Sequence, residues 1–138
     1  VIPEFIERLL EGEEFTVYGD GTQTRSFCYI SDAIDAITTM ATHPAAANEI
    51  YNVGTQHEIT INELAEHLFD VAGVYPSIEH IESKELLGSP ERRQPDVSKA
   101  KADIDYEPSM SLEEGLLDTF EMYCRDLLGV SVEEWQSS

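Results

Sequence analysis

The chain has 138 residues, 28 acidic against 8 basic side chains, a formal charge of −20 and 41% hydrophobic residues. That length and apolar content suit one folded domain, residues 1–138, with a real core rather than a disordered chain. The acid excess argues against nucleic-acid binding and against docking on anionic lipid, since both need a positive footprint.

No apolar run is long enough to span a bilayer, and no basic segment precedes an apolar one, so a soluble, cytoplasmic protein is expected. Cys28 and Cys124 lie far apart among apolar neighbours. They read as small buried hydrophobes in a reducing compartment rather than as a disulfide. The only lysines are Lys84, Lys99 and Lys101. Acid excess with few lysines fits a halophilic source and an ordinary acidic protein about equally, and a melting temperature that rises with molar KCl would select the first.

In chain order, Ile2, Phe5, Ile6, Leu9 and Leu10 repeat at helical spacing, with Pro3 in the first turn and Gly12 at the end. Phe15 to Tyr18 reads as a strand, Gly19-Asp20-Gly21 as a turn, and Ser26 to Ile30 as a second extended run. Ser31 or Asp32 is then expected to cap a helix with apolar positions Ala33, Ile34, Ile37, Met40 and Ala41, ended by His43-Pro44. Glu49 to Val53 reads as a strand stopped by Gly54.

Thr60 and Glu63 form a capping box before a helix whose inner face is Ile61, Leu64, Ala65, Leu68, Phe69 and Ala72, closed by Gly73. Ser77 to Ile81 alternates like a strand, residues 83–96 read as a polar loop, and Asp96 is expected to cap a short helix through Asp103. A second box, Ser111 and Glu114, opens the most regular helix, with Leu112, Leu116, Leu117, Phe120, Tyr123, Cys124, Leu127 and Leu128 inward. Ser131 and Glu134 make a third box beside Trp135. Short strands among amphipathic helices, without a run of βαβ units, predict an α+β fold.

Arginine presents a planar fork of donors that matches phosphate and carboxylate geometry. Of the five arginines, Arg25, Arg92 and Arg93 fall in two loops, where they either hold an anion or pair with local acids; composition alone favours pairing. Arg8 and Arg125 sit on polar helix faces and read as solvated charges. The four histidines share no ligand spacing, and Glu63 with His67 lacks a second pair, so no metal site is expected. No Gly-x-Ser-x-Gly elbow supports acyl transfer.

Three stretches in order carry a resemblance: VIPEFIERLLEGEEFTVYGDGTQTRSFCYISDAIDAI, EIYNVGTQHEITINELAE and SPERRQPDVSKAKADIDYEPSMSLEEGL. Together they resemble the substrate-binding part of extended short-chain dehydrogenases/reductases that act on nucleotide sugars. These include UDP-glucuronate decarboxylases, dTDP-glucose 4,6-dehydratases and UDP-sugar 4-epimerases. Thr24 through Tyr29 and Pro90 through Asp96 look most like the UDP-glucuronate decarboxylases.

The resemblance implies that Thr16, Val17 and Tyr18 lie along the base of a UDP- or dTDP-sugar. It implies that Arg25, with Gln23 beside it, meets the diphosphate, that Asn52 lines the same pocket, and that Arg93, or Arg92 one register away, closes from the far loop. It further implies NAD as cofactor of the full-length enzyme and dimers among full-length relatives. The family's Gly-x-x-Gly-x-x-Gly loop and Tyr-x-x-x-Lys pair are not found in these 138 residues. The chain is therefore expected to be a C-terminal, sugar-nucleotide-binding part with no catalytic residue of its own and the Rossmann half absent. The alternative is a stand-alone, non-catalytic binding or interaction module.

Overall fold

The computed structural model describes residues 1–82 and 90–138. The first helix, α1 (Ile2–Glu11), buries Phe5, Ile6 and Leu9, and Gly12 closes it with φ 67°, its amide bonded to the carbonyls of Arg8 and Leu9. A residue with a Cβ is strained there, which is why glycine ends this helix. Strand β1 (Phe15–Tyr18) turns Phe15 and Val17 inward and Tyr18 outward. The Phe15 ring meets Phe5 at 4.6 Å and Phe69 at 4.7 Å between centroids.

Phe69 belongs to α3 (Ile61–Ala72), which packs against α5 (Leu112–Tyr123). Leu64, Leu68, Leu116, Phe120 and Cys124 complete this main core. Each fully buried large side chain of this kind contributes roughly 1.5–3 kcal/mol. Both helices open on the expected capping boxes, as does the short α6 (Val132–Gln136), whose Trp135 stands edge-on to Phe120 at 5.3 Å.

Two small sheets stitch the chain together. Strand β1 runs parallel to β4 (Ile78–Ile81), Phe15 beside Ile78 and Tyr18 beside Ile81. In the other, β2 (Thr24–Arg25) is central, antiparallel to β3 (Ile59–Thr60) and parallel to β5 (Arg92–Arg93). A second, smaller core lies under α2 (Ile30–Thr42) and α4 (Ser98–Ile104). It gathers Ala36, Val97, Ala100, Ile104 and Tyr106. The result is the expected α+β arrangement of short strands among amphipathic helices.

Several expectations are corrected. The second strand is Thr24–Arg25 rather than Ser26 to Ile30; pairing ends after two residues because β3 and β5 offer only two each. Tyr29 keeps an extended backbone without a ladder partner and Ile30 already starts α2. Neither Ser31 nor Asp32 caps that helix. Asp32 is buried, and its carboxylate accepts from the Ser109 amide and hydroxyl and from the Met110 amide, pinning the loop before α5 to α2.

Residues 49–53 form no strand, since among the described residues none runs beside them; Tyr51 and Val53 pack on the smaller core instead. Part of the loop expected at 83–96 is strand β5, and residues 83–89 of that loop lie outside the described residues. Asp96 accepts from the Ser98 amide one residue ahead of the helix, whose cap position is Val97.

Leu117, Leu127 and Leu128 are exposed rather than inward. Leu117 sits about 100° around the helix from Leu116. Beyond Tyr123 the backbone passes into a wider π turn, Cys124–Leu128, so an extrapolated 3.6-residue period points to the wrong side. Cys124 is buried as expected but Cys28 is exposed, and both thiols are free.

Candidate functional site

The Gly19–Thr22 turn, Gln23, Arg25, Pro90 and Glu91 line a cleft of about 400 Å³. The turn is fixed from several directions. Asp20 Oδ1 accepts from the Thr22 amide at 2.9 Å and the Thr22 hydroxyl at 2.7 Å, and these bonds hold its carboxyl below the usual range. Asn62, on the first turn of α3, donates its amide to the Asp20 carbonyl at 3.0 Å, and its backbone N–H bonds the Gly21 carbonyl. Gly21 has φ 73°, and a Cβ there would overlap the Asn62 side chain. Glycine is therefore demanded twice at this position, by conformation and by contact.

Beyond the turn, β2 carries Thr24 and Arg25. Their side chains leave opposite faces of the strand. On one face the Thr24 hydroxyl donates to Glu58 at 2.9 Å, and Arg92, across β5, grips the same carboxylate through Nε at 2.8 and 2.7 Å. The Arg92 guanidinium, then Thr24, hold the Glu58 carboxyl below its ordinary value. Arg92 also donates to Gln94.

On the other face, Arg25 is in direct parallel register with Arg93. Arg25 Nη1 donates to its own strand's Thr24 carbonyl at 2.6 Å and to Glu91 O at 3.3 Å. Arg93 is exposed and makes no side-chain hydrogen bond or ion pair among the described residues. The two arginines of β5 thus separate: Arg92 is committed to Glu58, and Arg93 stands beside Arg25.

The other residues singled out in the sequence are more dispersed. Gln23 lies in the cleft and donates to the Tyr18 carbonyl at 3.0 Å, tying the outer end of β1 to the cleft. Tyr18 is partly exposed just before the turn. Val17 is wholly buried in the main core, so its side chain faces away from any ligand. Thr16 lends its carbonyl to Arg8, and its hydroxyl oxygen is buried without a partner among the described residues. Asn52 is not among the lining residues; it donates to the Asp96 carbonyl at 3.2 Å.

Sequence reasoning missed Asn62, Glu58 and Arg8. Arg8 is no solvated charge: it bonds Glu4 at 2.7 Å and Thr16 O at 3.1 Å, and its guanidinium lies 6.0 Å from the Tyr18 ring centroid. Nothing local in the sequence marks Glu58 or Asn62, because their partners lie far along the chain. Among the described residues no His, Cys, Asp and Glu group could hold a metal ion. No helix of the described residues is long and apolar enough to cross a membrane.

Residues 1–54 match the NAD dependent epimerase/dehydratase family. Over 127 residues the chain is 37% identical to UDP-N-acetyl-alpha-D-glucosaminuronate decarboxylase of Bacillus cytotoxicus, covering 89% of this chain and 39% of that one. It is 40% identical over 118 residues to UDP-glucuronic acid decarboxylase 3 of Arabidopsis thaliana, covering 84% and 33%. Over most of its length the chain is thus a homologue of nucleotide-sugar decarboxylases, and its first 54 residues carry the family match.

Among solved family members, a variant of UDP-glucuronic acid 4-epimerase from Bacillus cereus superposes with TM-score 0.82 and 29% identity, over 91% of this chain and 40% of that one. That epimerase was crystallised with UDP-4-deoxy-4-fluoro-glucuronic acid and NAD. The present chain spans about two fifths or less of the relatives it matches. The Gly19-Asp20-Gly21 turn does not fit the pyrophosphate of NAD. A dinucleotide pyrophosphate is held where a glycine turn opens onto a helix N-terminus. Here the Gly19-Asp20-Gly21 turn runs into the two-residue strand β2 instead.

Proposed function

We propose that residues 1–138 are the C-terminal, nucleotide-sugar-binding domain of an NAD-dependent decarboxylase, dehydratase or epimerase, with UDP- or dTDP-sugars as ligands and no catalytic group of its own. The observation that carries this reading is the parallel register of Arg93 with Arg25, which lines the cleft. Guanidinium groups bind the oxygens of a diphosphate bidentately, and two of them on neighbouring strands suit such a ligand. The Gly19–Thr22 turn lines the same cleft and Tyr18 immediately precedes it, the side to which this reading assigns the base.

Asp20 and Glu91 also line this cleft, so its field is not uniformly positive. Arg25 and Arg93 must therefore supply local contacts rather than long-range steering, and affinity should persist in high salt. Because Arg92 is held by Glu58, Arg93 is the better assignment for the ligand contact and Arg92 for the scaffold. Thr16, Val17 and Asn52 take at most a backbone or peripheral part.

Isothermal titration calorimetry of the chain with UDP and with UDP-glucuronate, in high salt, tests the reading. Arg25→Ala and Arg93→Ala are each expected to weaken UDP binding about ten-fold or more, since hydrogen bonds to charged groups contribute roughly 1.5–3 kcal/mol. No measurable UDP affinity in the parent chain, or equal affinity in the Arg25→Ala chain, defeats the assignment.

A further inference from the structure

We infer that Asn62, with its side-chain amide oriented by His80, is a positioning residue for nucleotide binding. It stands behind the Gly19–Thr22 turn and holds the cleft wall that this turn forms. The inference rests on the function proposed above and deepens it, by assigning part of the ligand's affinity to two residues that do not line the cleft.

Backbone bonds hold the turn at both ends. Where it leaves β1, the Gly19 amide bonds the Ile81 carbonyl at 2.8 Å; where it enters β2, the Ile61 amide bonds the Gln23 carbonyl at 3.1 Å. Between them the Asn62 amide bonds the Gly21 carbonyl at 3.1 Å. Ile61 and Asn62 are the first two residues of α3, whose N–H groups have no acceptor within the helix. The turn supplies those acceptors, so the start of α3 and the wall of the cleft are built together.

The Asn62 side chain then joins the turn to β4. Its Nδ2 donates to the Asp20 carbonyl at 3.0 Å, and its Oδ1 lies 3.0 Å from His80 Nε2. The Asp20 carbonyl can only accept, so the amide nitrogen must face it and the amide oxygen must face the imidazole. His80 therefore donates from Nε2. A flipped amide would set oxygen against oxygen at Asp20 and donor against donor at His80, so His80 decides which way the amide points.

Only a short amide meets these demands. Aspartate offers no donor to the Asp20 carbonyl, and leucine neither donates nor accepts. A glutamine has no room for its extra methylene, because the Asn62 side chain already fills the space where a Cβ on Gly21 would stand. The link to an anionic ligand runs through Asp20, which lines the cleft and whose carboxylate is kept on the Thr22 amide and hydroxyl. Released by Asn62, the Asp20 peptide is able to rotate and its carboxylate to swing toward the phosphates, where like charges repel.

The test compares the parent chain with Asn62→Leu, His80→Phe and His80→Gln by NMR and by UDP titration. In the parent, neutral His80 should carry its proton on Nε2; a proton on Nδ1 overturns the inference. Asn62→Leu and His80→Phe should speed amide exchange at Ile61 and Thr22 several-fold and weaken UDP binding several-fold. His80→Phe changes an exposed residue of β4 and should leave the melting temperature close to the parent's, so its effect does not depend on Asn62→Leu folding well. His80→Gln, which keeps a donor near the same place, should recover most of the parent's UDP affinity, whereas a merely structural role for His80 predicts no such rescue.

Two failures are distinguishable. No UDP affinity in the parent overturns the nucleotide reading and this inference with it. A parent that binds UDP, with Asn62→Leu and His80→Phe binding it equally well, overturns this inference alone.

Discussion

Helices α2 and α5 look alike in the sequence and end differently in the fold. Each carries apolar residues at helical spacing, and each presents one of them every turn. In α5, Leu116 and Phe120 are buried against α3, under a capping box and beside Trp135. In α2, Ile30, Ile34 and Ile37 face outward, and the side that is anchored uses one alanine and one aspartate. Apolar periodicity thus marks a face. Whether the fold buries that face is decided by what packs there.

Substitutions should separate the two helices sharply. Phe120→Ala, which empties a fully buried site, is expected to destabilise the chain by about 3–5 kcal/mol in urea unfolding. Asp32→Ala removes the acceptor for three donors and should cost about 2–3 kcal/mol, a large effect from the polar side of α2. Ser111→Ala strips the cap of α5 and should cost about 1 kcal/mol. Ile34→Ser on the outer stripe should fall within about 0.5 kcal/mol of the parent. A loss at Ile34 comparable with that at Phe120 would mean that the stripe is already covered in this chain, and the contrast would collapse.

Acid titration sharpens the same contrast from the side of charge. The Thr60 and Ser111 amides, then their hydroxyls, hold the carboxyls of Glu63 and Glu114 below their ordinary value. A depressed carboxyl stabilises the fold above its unfolded value, about 4.3 for Glu, and that contribution is lost as pH falls through the folded value. Stability should therefore hold above about pH 5 and decline below about pH 4. Glu114→Gln should flatten that decline, measured by circular dichroism.

What was legible in the sequence follows from the range of the interactions. Capping boxes, the Gly12 and Gly73 stops and the strand at Phe15–Tyr18 are decided within a few residues, and each stands where the sequence put it. The strand at Thr24–Arg25, the roles of Asp32, Glu58 and Asn62, and the division of labour between Arg92 and Arg93 depend on partners far along the chain. Asp32 looks like a cap because caps are what aspartates do near a helix start; Ser109 and Met110 claim it instead. The periodicity of α5 misleads past Tyr123 because the π turn changes the rotation per residue. Cys28 was misplaced for a different reason: apolar neighbours do imply burial, but here they line an open groove.

The sheet β3–β2–β5 has a consequence for the order of assembly. It is built from two-residue strands drawn from three separate stretches of chain, so it must close long loops before it gains any contacts. The capped helices α3 and α5 have no such delay. In refolding, the sheet that aligns Arg25 with Arg93 should therefore form after the α3–α5 pair, and in native-state hydrogen exchange it should open at lower free energy. A bound anion bridging those two strands would act as a clasp, slowing exchange at Thr24 and Arg25 well before it changed the melting of the core.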